Sequence, residues 1–456
     1  MPKQKSKYVC SACGDSFTAW SGKCTTCGEW NTIQQLLDVQ SSTRADQAVK
    51  SGQLLKSEKL NINTTQKEYA RFTTTISDVD VVLGGGVVPG SVTLLAGQPG
   101  IGKSTILLQI AYGLGANAKV LYVSGEESVD QVSLRGKRLH NSDNTVMITT
   151  SNSANDIAAT IASDVYDVVI VDSIQTVATD DVAGIPGSVS QVTNSAQLIT
   201  LAAKQSHTAV IIVGHVTKEG SIAGPKVLEH LVDVVLQLEG DRYADLRILR
   251  GIKNRFGSTN EVAILEMSNS GLVVVKNPSA ALLAERRISD GSVVLATLEG
   301  SRPILVEIQA LVNTTSYGYP KRAASGFDLN RLNLLVAMLE RRKKLKLDDK
   351  DIYINVVGGI KIAENAADLA VCMAIASASK GMQLKSDAVV FGEVGLSGEV
   401  RHVPWIDKRL QEAKKMGFTD CIGPRLPKKQ PTGAPKYLEA TDIRSVLNAK
   451  LMKGNA

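Results

Sequence analysis

The sequence predicts a multidomain α/β protein, and three observations carry that expectation. Four cysteines in two C-x-x-C pairs crowd into the first 27 residues. Near residue 100 an apolar strand runs through a glycine loop into an apolar-periodic helix, and beyond residue 280 the composition shifts to a second series of strands and helices. With 456 residues, 43% of them apolar, the chain is too long for one ordinary domain and can fill at least two cores. Its formal charge of +6 permits an acidic partner such as nucleic acid without demanding one. No run of eighteen apolar residues occurs, and "MPKQKSKYVC" lacks the apolar centre of a secretion signal, so a cytoplasmic chain with no membrane segment is expected.

The N-terminal element, residues 1–35, rests on "CSAC" (Cys10, Cys13) and "CTTC" (Cys24, Cys27). Two such knuckles, each followed by a glycine (Gly14, Gly28) that eases a tight turn, place four thiolates around one tetrahedral Zn²⁺. Two disulfides are the alternative, which a reducing cytoplasm disfavours. So short a segment cannot bury a core of its own, and the metal would supply its folding energy. Trp20 and Trp30 are expected to pack against this ribbon; contact with DNA or a partner, through them and Lys23, is the other reading. Residues 36–70, rich in Ser, Thr, Gln, Lys and Asn, read as a flexible linker.

Residues 71–278 carry the signals of a nucleotide-binding α/β domain. "GQPGIGKS" fits G-x-x-x-x-G-K-S, with an apolar strand (Val92 to Ala96) before it and a helix after it. Along Gly97, Gln98, Pro99, Gly100, Ile101, Gly102, Lys103, Ser104 and Thr105, backbone N–H groups can wrap the phosphates of ATP or ADP at a helix N-terminus. Lys103 would reach the β- and γ-phosphates and Ser104 would coordinate Mg²⁺. The buried strand of "DVVIVDSIQT" ends in Asp172, a second carboxylate for the metal. "AKVLYVSGEES" ends in Glu126 and Glu127; Glu126 is the candidate base for water, and helix capping near Ser128 is the plainer reading of both acids. "TAVIIVGHV" ends in His215, either a γ-phosphate sensor at a strand end or a structural histidine.

One further stretch, "LRGIKNRFGSTNE", sets Arg250, Lys253 and Arg255 around Asn254 just after what reads as a strand edge. Phe256 is expected to anchor the turn there, and Gly257 to permit it. A solvated basic loop and a direct DNA contact are alternatives.

The order of phosphate loop, strand-end Glu, strand-end Asp and polar sensor, prefaced by "LGGG", resembles the RecA-type recombinase and helicase core. With "KNRFG", the four-cysteine ribbon and a long C-terminal extension, almost the whole chain is similar to the bacterial RadA/Sms family of recombination and repair proteins. The resemblance implies a RecA-like core with a mostly parallel sheet, Glu126 activating water, Asp172 on Mg²⁺ and His215 sensing. It also implies Lys253 and Arg255 reaching an adjacent subunit's ATP, where they would stabilise transition-state charge in trans. The implied activity is a DNA-dependent ATPase and helicase acting on single-stranded and branched DNA. It would work as a homo-hexameric ring that promotes branch migration alongside the RecA recombinase.

Two loops after the strands are the candidate DNA contacts, "TVATDDVAGIPGSVSQVTN" and "TKEGSIAGPKVLEH". They are rich in Gly and Ser, with Lys218 and Lys226 and few aromatics, which suits sequence-independent phosphate contact.

Residues 279–456 read as paired strands ("ISDGSVVLATLEGSRPILVEIQALVNTT"), an amphipathic helix with a basic end, then a strand and a small-residue helix that holds Cys372 in its core. They resemble the proteolytic domain of Lon proteases. Ala366 stands where the nucleophile would, and Asp407, with Lys408 beside it, at the lysine's place. Without Ser or Cys at that position no acyl-enzyme can form, so the domain reads as an assembly and DNA-binding scaffold, not a protease. "ERRKKLKL" and "RLPKKQP" are either DNA contacts or solvated charge. An ATP-gated adaptor that binds DNA and recruits partners without translocating remains the alternative function.

Overall fold

The computed structural model describes residues 7–10, 15–18, 20–30, 32–36, 70–139, 146–215, 227–240, 246–316, 318–343, 345–426 and 433–453. The expected linker, apart from Leu36 and Ala70, lies outside them, as do Cys13, Gly14, Lys218, Lys226, Lys344 and the "PKKQP" stretch. Two compact units divide between Gln66 and Lys67.

In the first unit β1 (Lys7–Cys10), β2 (Ser16–Phe17) and β3 (Ile33–Leu36) form an antiparallel sheet with β1 in the middle. Among the described residues its interior is Cys10, Cys24 and Ile33, with Tyr8 and Phe17 against them. The tryptophans do not pack there as the sequence suggested: Trp20 is 60% and Trp30 68% exposed.

The second unit opens with a nine-stranded sheet built from β4 (Val92–Gly97), β5 (Val120–Ser124), β6 (Val146–Thr150), β7 (Val168–Asp172), β8 (Ala209–His215), β9 (Val234–Glu239), β10 (Leu246–Asn254), β11 (Val262–Ser268) and β12 (Gly271–Val274). The spatial order is β12-β11-β10-β9-β4-β8-β7-β5-β6. From β9 to β6 every pairing is parallel. The runs VTLLAG, VVIVD and AVIIVGH are continuous and apolar because helices cover both faces of that part of the sheet. β4 lies between β8 and β9 and is one residue longer than expected, so Gly97 is still in the sheet when the phosphate loop begins.

Beyond β9 the chain turns back into three antiparallel strands that periodicity did not reveal. The basic cluster belongs to this extension, and Lys253 and Asn254 are the last residues of β10 rather than residues following a strand. A register shift between Gly251 and Lys253 bends the strand at that point.

The rest of the second unit is another α/β layer. β13 (Ser292–Glu299) and β14 (Arg302–Thr314) form the expected hairpin, and β15 (Arg322–Ser325) and β16 (Lys350–Val356) extend the sheet on the β14 side. Helices Leu329–Lys343 and Asp368–Lys380 share one core with it, and Cys372 is buried there as expected. The β13–β14 turn is polar and touches the nucleotide-binding half. Glu299 pairs with Arg250 at 2.6 Å, Arg302 with Asp78 at 2.9 Å, and the Ser301 N–H donates to Asn260 O at 2.5 Å.

Arg409, fully buried, holds this layer together. It donates to Glu364 at 2.6 and 2.8 Å and to Ala296 O at 2.5 Å. Arg409→Ala removes the countercharge of Glu364, which keeps only the Thr297 hydroxyl and the Leu298 N–H, and leaves a cavity; a loss on the order of 3 kcal/mol in stability is expected, measured as a lower denaturant midpoint at unchanged m-value.

Candidate active site

The C-terminal ends of β4, β5, β7 and β8 meet at one edge of the sheet, where ligands of open α/β sheets gather. β4 delivers the loop Gly97–Ser104. Gln98, Pro99 and Gly100 form its exposed crest, and Ile101 is buried as its root. Gly102 precedes the helix Lys103–Leu114 at φ +112°, where a Cβ would stand 2.8 Å from Met267 Cε, so only glycine fits. Ser104 and Thr105 lie half-buried in the first helical turn. The buried Lys103 ammonium donates to Gly97 O at 2.9 Å and Gln98 O at 3.0 Å. Burial lowers its pKa, opposed by the charges of Asp172 and Glu126, which places both carboxylates in its field. The antiparallel extension braces the loop: Arg247 of β10 donates to Ile101 O at 3.2 Å.

Asp172 ends β7 half-buried and accepts the Tyr122 hydroxyl at 2.5 Å. Burial first, then the adjacent Asp172 charge, pushes the Tyr122 phenol well above its ordinary pKa, so it stays a donor. Glu126 is exposed beyond β5 and accepts the Ser173 hydroxyl at 2.5 Å. Glu127 turns away to Arg135, at 2.5 Å. Neither acid caps the following helix: the Ser128 N–H donates to Gln131 Oε1, and the Gln131 N–H to Ser128 Oγ. His215 pairs in register with Gly97, which puts its backbone beside the root of the loop; its side chain lies outside the described residues.

Lys253 and Arg255 are at the other end of the sheet. Lys253 pairs with Val235 and Asn254 with Val234, the residues level with Leu94 and Thr93 at the start of β4. At about 3.3 Å per residue, roughly 10 to 13 Å separates that level from Gly97. The Lys253 ammonium donates to Glu229 O at 2.6 Å and Val232 O at 2.7 Å, closing the short helix Val227–Leu231. Arg255 Nη1 contacts Asp233 at 3.1 Å, with its side chain 57% exposed and that of Asp233 4%. Asp233 also binds Lys204 at 3.1 Å and accepts the Val92 N–H at 3.1 Å. Asn254 locks the turn by donating to Val82 O at 3.2 Å and accepting the Phe256 N–H at 2.8 Å. Phe256 packs on the core as expected. Gly257 serves close approach rather than a left-handed turn, since a Cβ there would stand 2.8 Å from Gly84 Cα in "LGGG".

The loop after Asp172 is tied down by Gln191, which accepts from the Thr179 N–H at 2.9 Å and donates to Val182 O at 2.5 Å, leaving Ile185 exposed at its tip. At its base both amide atoms of Gln175 are buried without a hydrogen-bond partner among the described residues.

In the ribbon, Cys10, Cys24 and Cys27 bring their sulfurs within 4.8 Å of one another, with Cys10 and Cys27 at 3.7 Å. That is no disulfide, and it matches the spacing of about 3.8 Å between thiolates each about 2.3 Å from one tetrahedral zinc. Each knuckle is closed alike: the Cys10 N–H donates to Asp15 O and the Cys24 N–H to Glu29 O, both at 2.9 Å.

Comparison with known proteins agrees with this geometry. Family models described as an AAA domain, a rubredoxin metal binding domain and subunit ChlI of Mg-chelatase match residues 58–221, 8–35 and 331–426. The DNA repair protein RadA of Pseudomonas aeruginosa is 45% identical over 452 residues, 98% of this chain and 99% of that protein. RadA of Bacillus subtilis is 45% identical over 98% of both chains, and that of Aquifex aeolicus 45% over 93% of this chain and 94% of its own. The chain belongs to the RadA family of DNA repair proteins.

As in its RadA relatives, nearly the whole length is shared, so ribbon, ATP-binding AAA domain and Lon-like domain form one chain. In this RadA-family protein the Lon-like domain has a buried Ala366 and an exposed Asp407, while the Lys408 ammonium donates to Ser301 O at 3.0 Å and lies 4.6 Å from the Trp405 ring centroid. Sequence reading missed Tyr122, Ser173 and Asp233. The first was hidden in an apolar strand, and the serine followed Asp172 without a motif of its own.

Proposed function

We propose that this RadA-family chain is a DNA-dependent ATPase that processes recombination intermediates in DNA repair. It works as a ring-shaped homo-hexameric motor on single-stranded and branched DNA, promoting branch migration with the RecA recombinase. The observation that carries the reading is that Lys253 and Arg255 lie at the end of the sheet opposite their own phosphate loop, which supports a role for them at a neighbour's nucleotide. Arg247 of β10 braces the loop of its own subunit, while at the far end of that strand Lys253 holds the carbonyls of Glu229 and Val232 and Arg255, just beyond it, is mostly exposed beside Asp233.

Within one subunit the backbone of Gly97–Thr105 and the Lys103 ammonium hold the phosphates. The Ser104 hydroxyl and the Asp172 carboxylate are hard oxygen donors suited to Mg²⁺, which would neutralise the β- and γ-phosphate charge. The Tyr122 hydroxyl fixes one Asp172 oxygen, and the Ser173 hydroxyl orients the Glu126 carboxylate, which takes the proton of the attacking water. His215, beside Gly97 in register, would sense the γ-phosphate.

Glu126→Gln is expected to retain ATP binding and to hydrolyse roughly 10²- to 10⁴-fold more slowly, checked by nucleotide binding and steady-state ATPase together. The reading as a whole is tested by the ATPase rate with and without single-stranded DNA at fixed salt, and by ATP-driven unwinding of a forked duplex. Stimulation by DNA, with unwinding that disappears in Lys103→Ala, is expected. A rate indifferent to DNA would overturn DNA dependence, and stimulation without unwinding would replace the motor by the adaptor.

A further inference from the structure

The ATPase loops that face DNA in this reading, residues 176–194 and 217–230, contain no Trp, Tyr or Phe, so they cannot supply the aromatic stacking by which proteins hold unpaired bases. The chain has three tryptophans, and two are on the ribbon, both exposed. Trp30 Cζ3 lies 3.9 Å and Trp20 Cη2 4.0 Å from the point where a Cβ on Gly22 would stand. The two indoles thus both reach the position above Gly22, which carries no side chain. The Lys23 ammonium sits 5.5 Å from the Trp30 ring centroid, a cation beside them where a phosphate could follow a stacked base. Neither tryptophan contributes to the small interior around Cys10, Cys24 and Ile33. Two exposed indoles that meet over a glycine, next to a cation, are the components of a base-stacking site.

We propose that Trp20, Trp30 and Lys23 form a clamp on the zinc ribbon that takes an unpaired base of single-stranded DNA over Gly22. The proposal rests on the DNA-processing reading above and adds to it the first contact of the ribbon with the substrate. Stacking on an indole does not distinguish one base from another, so the clamp takes any sequence, and it excludes duplex DNA, whose bases are already stacked.

The test is direct binding of the full chain to a fluorescent oligothymidylate and to a duplex of equal length, by anisotropy at two salt concentrations, with zinc content measured for each variant. Trp20→Ala and Trp30→Ala are each expected to weaken single-strand binding about 5- to 150-fold at an unchanged salt slope, because stacking and not a phosphate contact is lost. Lys23→Ala should lower the slope instead. Gly22→Ala keeps both indoles and sets a methyl group between them at ordinary contact distance, so it should weaken binding while zinc content stays at one per chain. Duplex binding should not change. Single-strand affinity unchanged in zinc-loaded Trp20→Ala, Trp30→Ala and Gly22→Ala overturns the clamp and assigns the indoles to a protein partner. DNA-stimulated ATPase persisting in those variants would show that the proposed function stands without it.

Discussion

Arg255→Ala is expected to lower the ATPase rate by about 10³-fold or more while the subunit stays folded and still binds ATP. Folding is spared because the Arg255–Asp233 pair has a mostly exposed arginine, and such pairs contribute at most about 1 kcal/mol. Asp233 also keeps Lys204 and the Val92 N–H, so no buried charge is orphaned. Nucleotide binding is spared because the phosphate loop lies at the far end of β4. What is lost is a planar, permanently charged and mostly exposed fork, worth this much where such a group meets a transferring phosphoryl group. Arg255→Lys keeps the charge and loses the fork, so an intermediate rate is expected. Lys253→Ala is a less clean probe: burial, and then repulsion from Arg255, lowers its pKa, and its ammonium closes the helix Val227–Leu231.

Removal of zinc is expected to unfold the ribbon completely and to leave the second unit folded. Among the described residues five side chains make up the ribbon's interior, far too few to offset the conformational entropy of its residues, whereas structural zinc contributes on the order of 10 kcal/mol or more. The second unit has its own cores and shares none of these residues. A chelator, or Cys24→Ser, should therefore abolish the ribbon's near-ultraviolet signal and leave the main thermal transition in place. Because zinc needs thiolates, protons compete with it, and the ribbon should lose metal as pH falls. A ribbon that keeps its spectrum after zinc has been removed would contradict this account.

The phosphate loop, the Asp172 strand and the C-x-x-C knuckles were legible because their geometry is local. Gly102 at positive φ, a run of buried apolar residues and a four-residue knuckle each leave a pattern within a few positions. What the sequence hid depends on distance along the chain. Asp233 looks like an isolated acid between two valines, and only the parallel pairing of β4 with β9 brings it to Val92, 141 residues away. β10 to β12 alternate too weakly to announce an antiparallel extension, and Gly257 reads as a turn until Gly84 is found against it. The tryptophans were misplaced for a different reason. Aromatic residues in a short domain suggest a core, but the buried cluster among the described residues is built on Cys10, Cys24 and Ile33 and takes in Tyr8 and Phe17, not the indoles.

The central claim is that Arg255 completes the nucleotide site of a neighbouring subunit. Mixing Lys103→Ala chains with Arg255→Ala chains tests it most directly, since each is inactive alone and neither carries both residues. If Arg255 acts across the interface, a mixed assembly contains junctions that join an intact phosphate loop to an intact Arg255, and ATPase activity should return on mixing. Mixtures as inactive as either parent, at concentrations where the two kinds of chain co-assemble, would contradict it and return the basic cluster to a role within its own subunit.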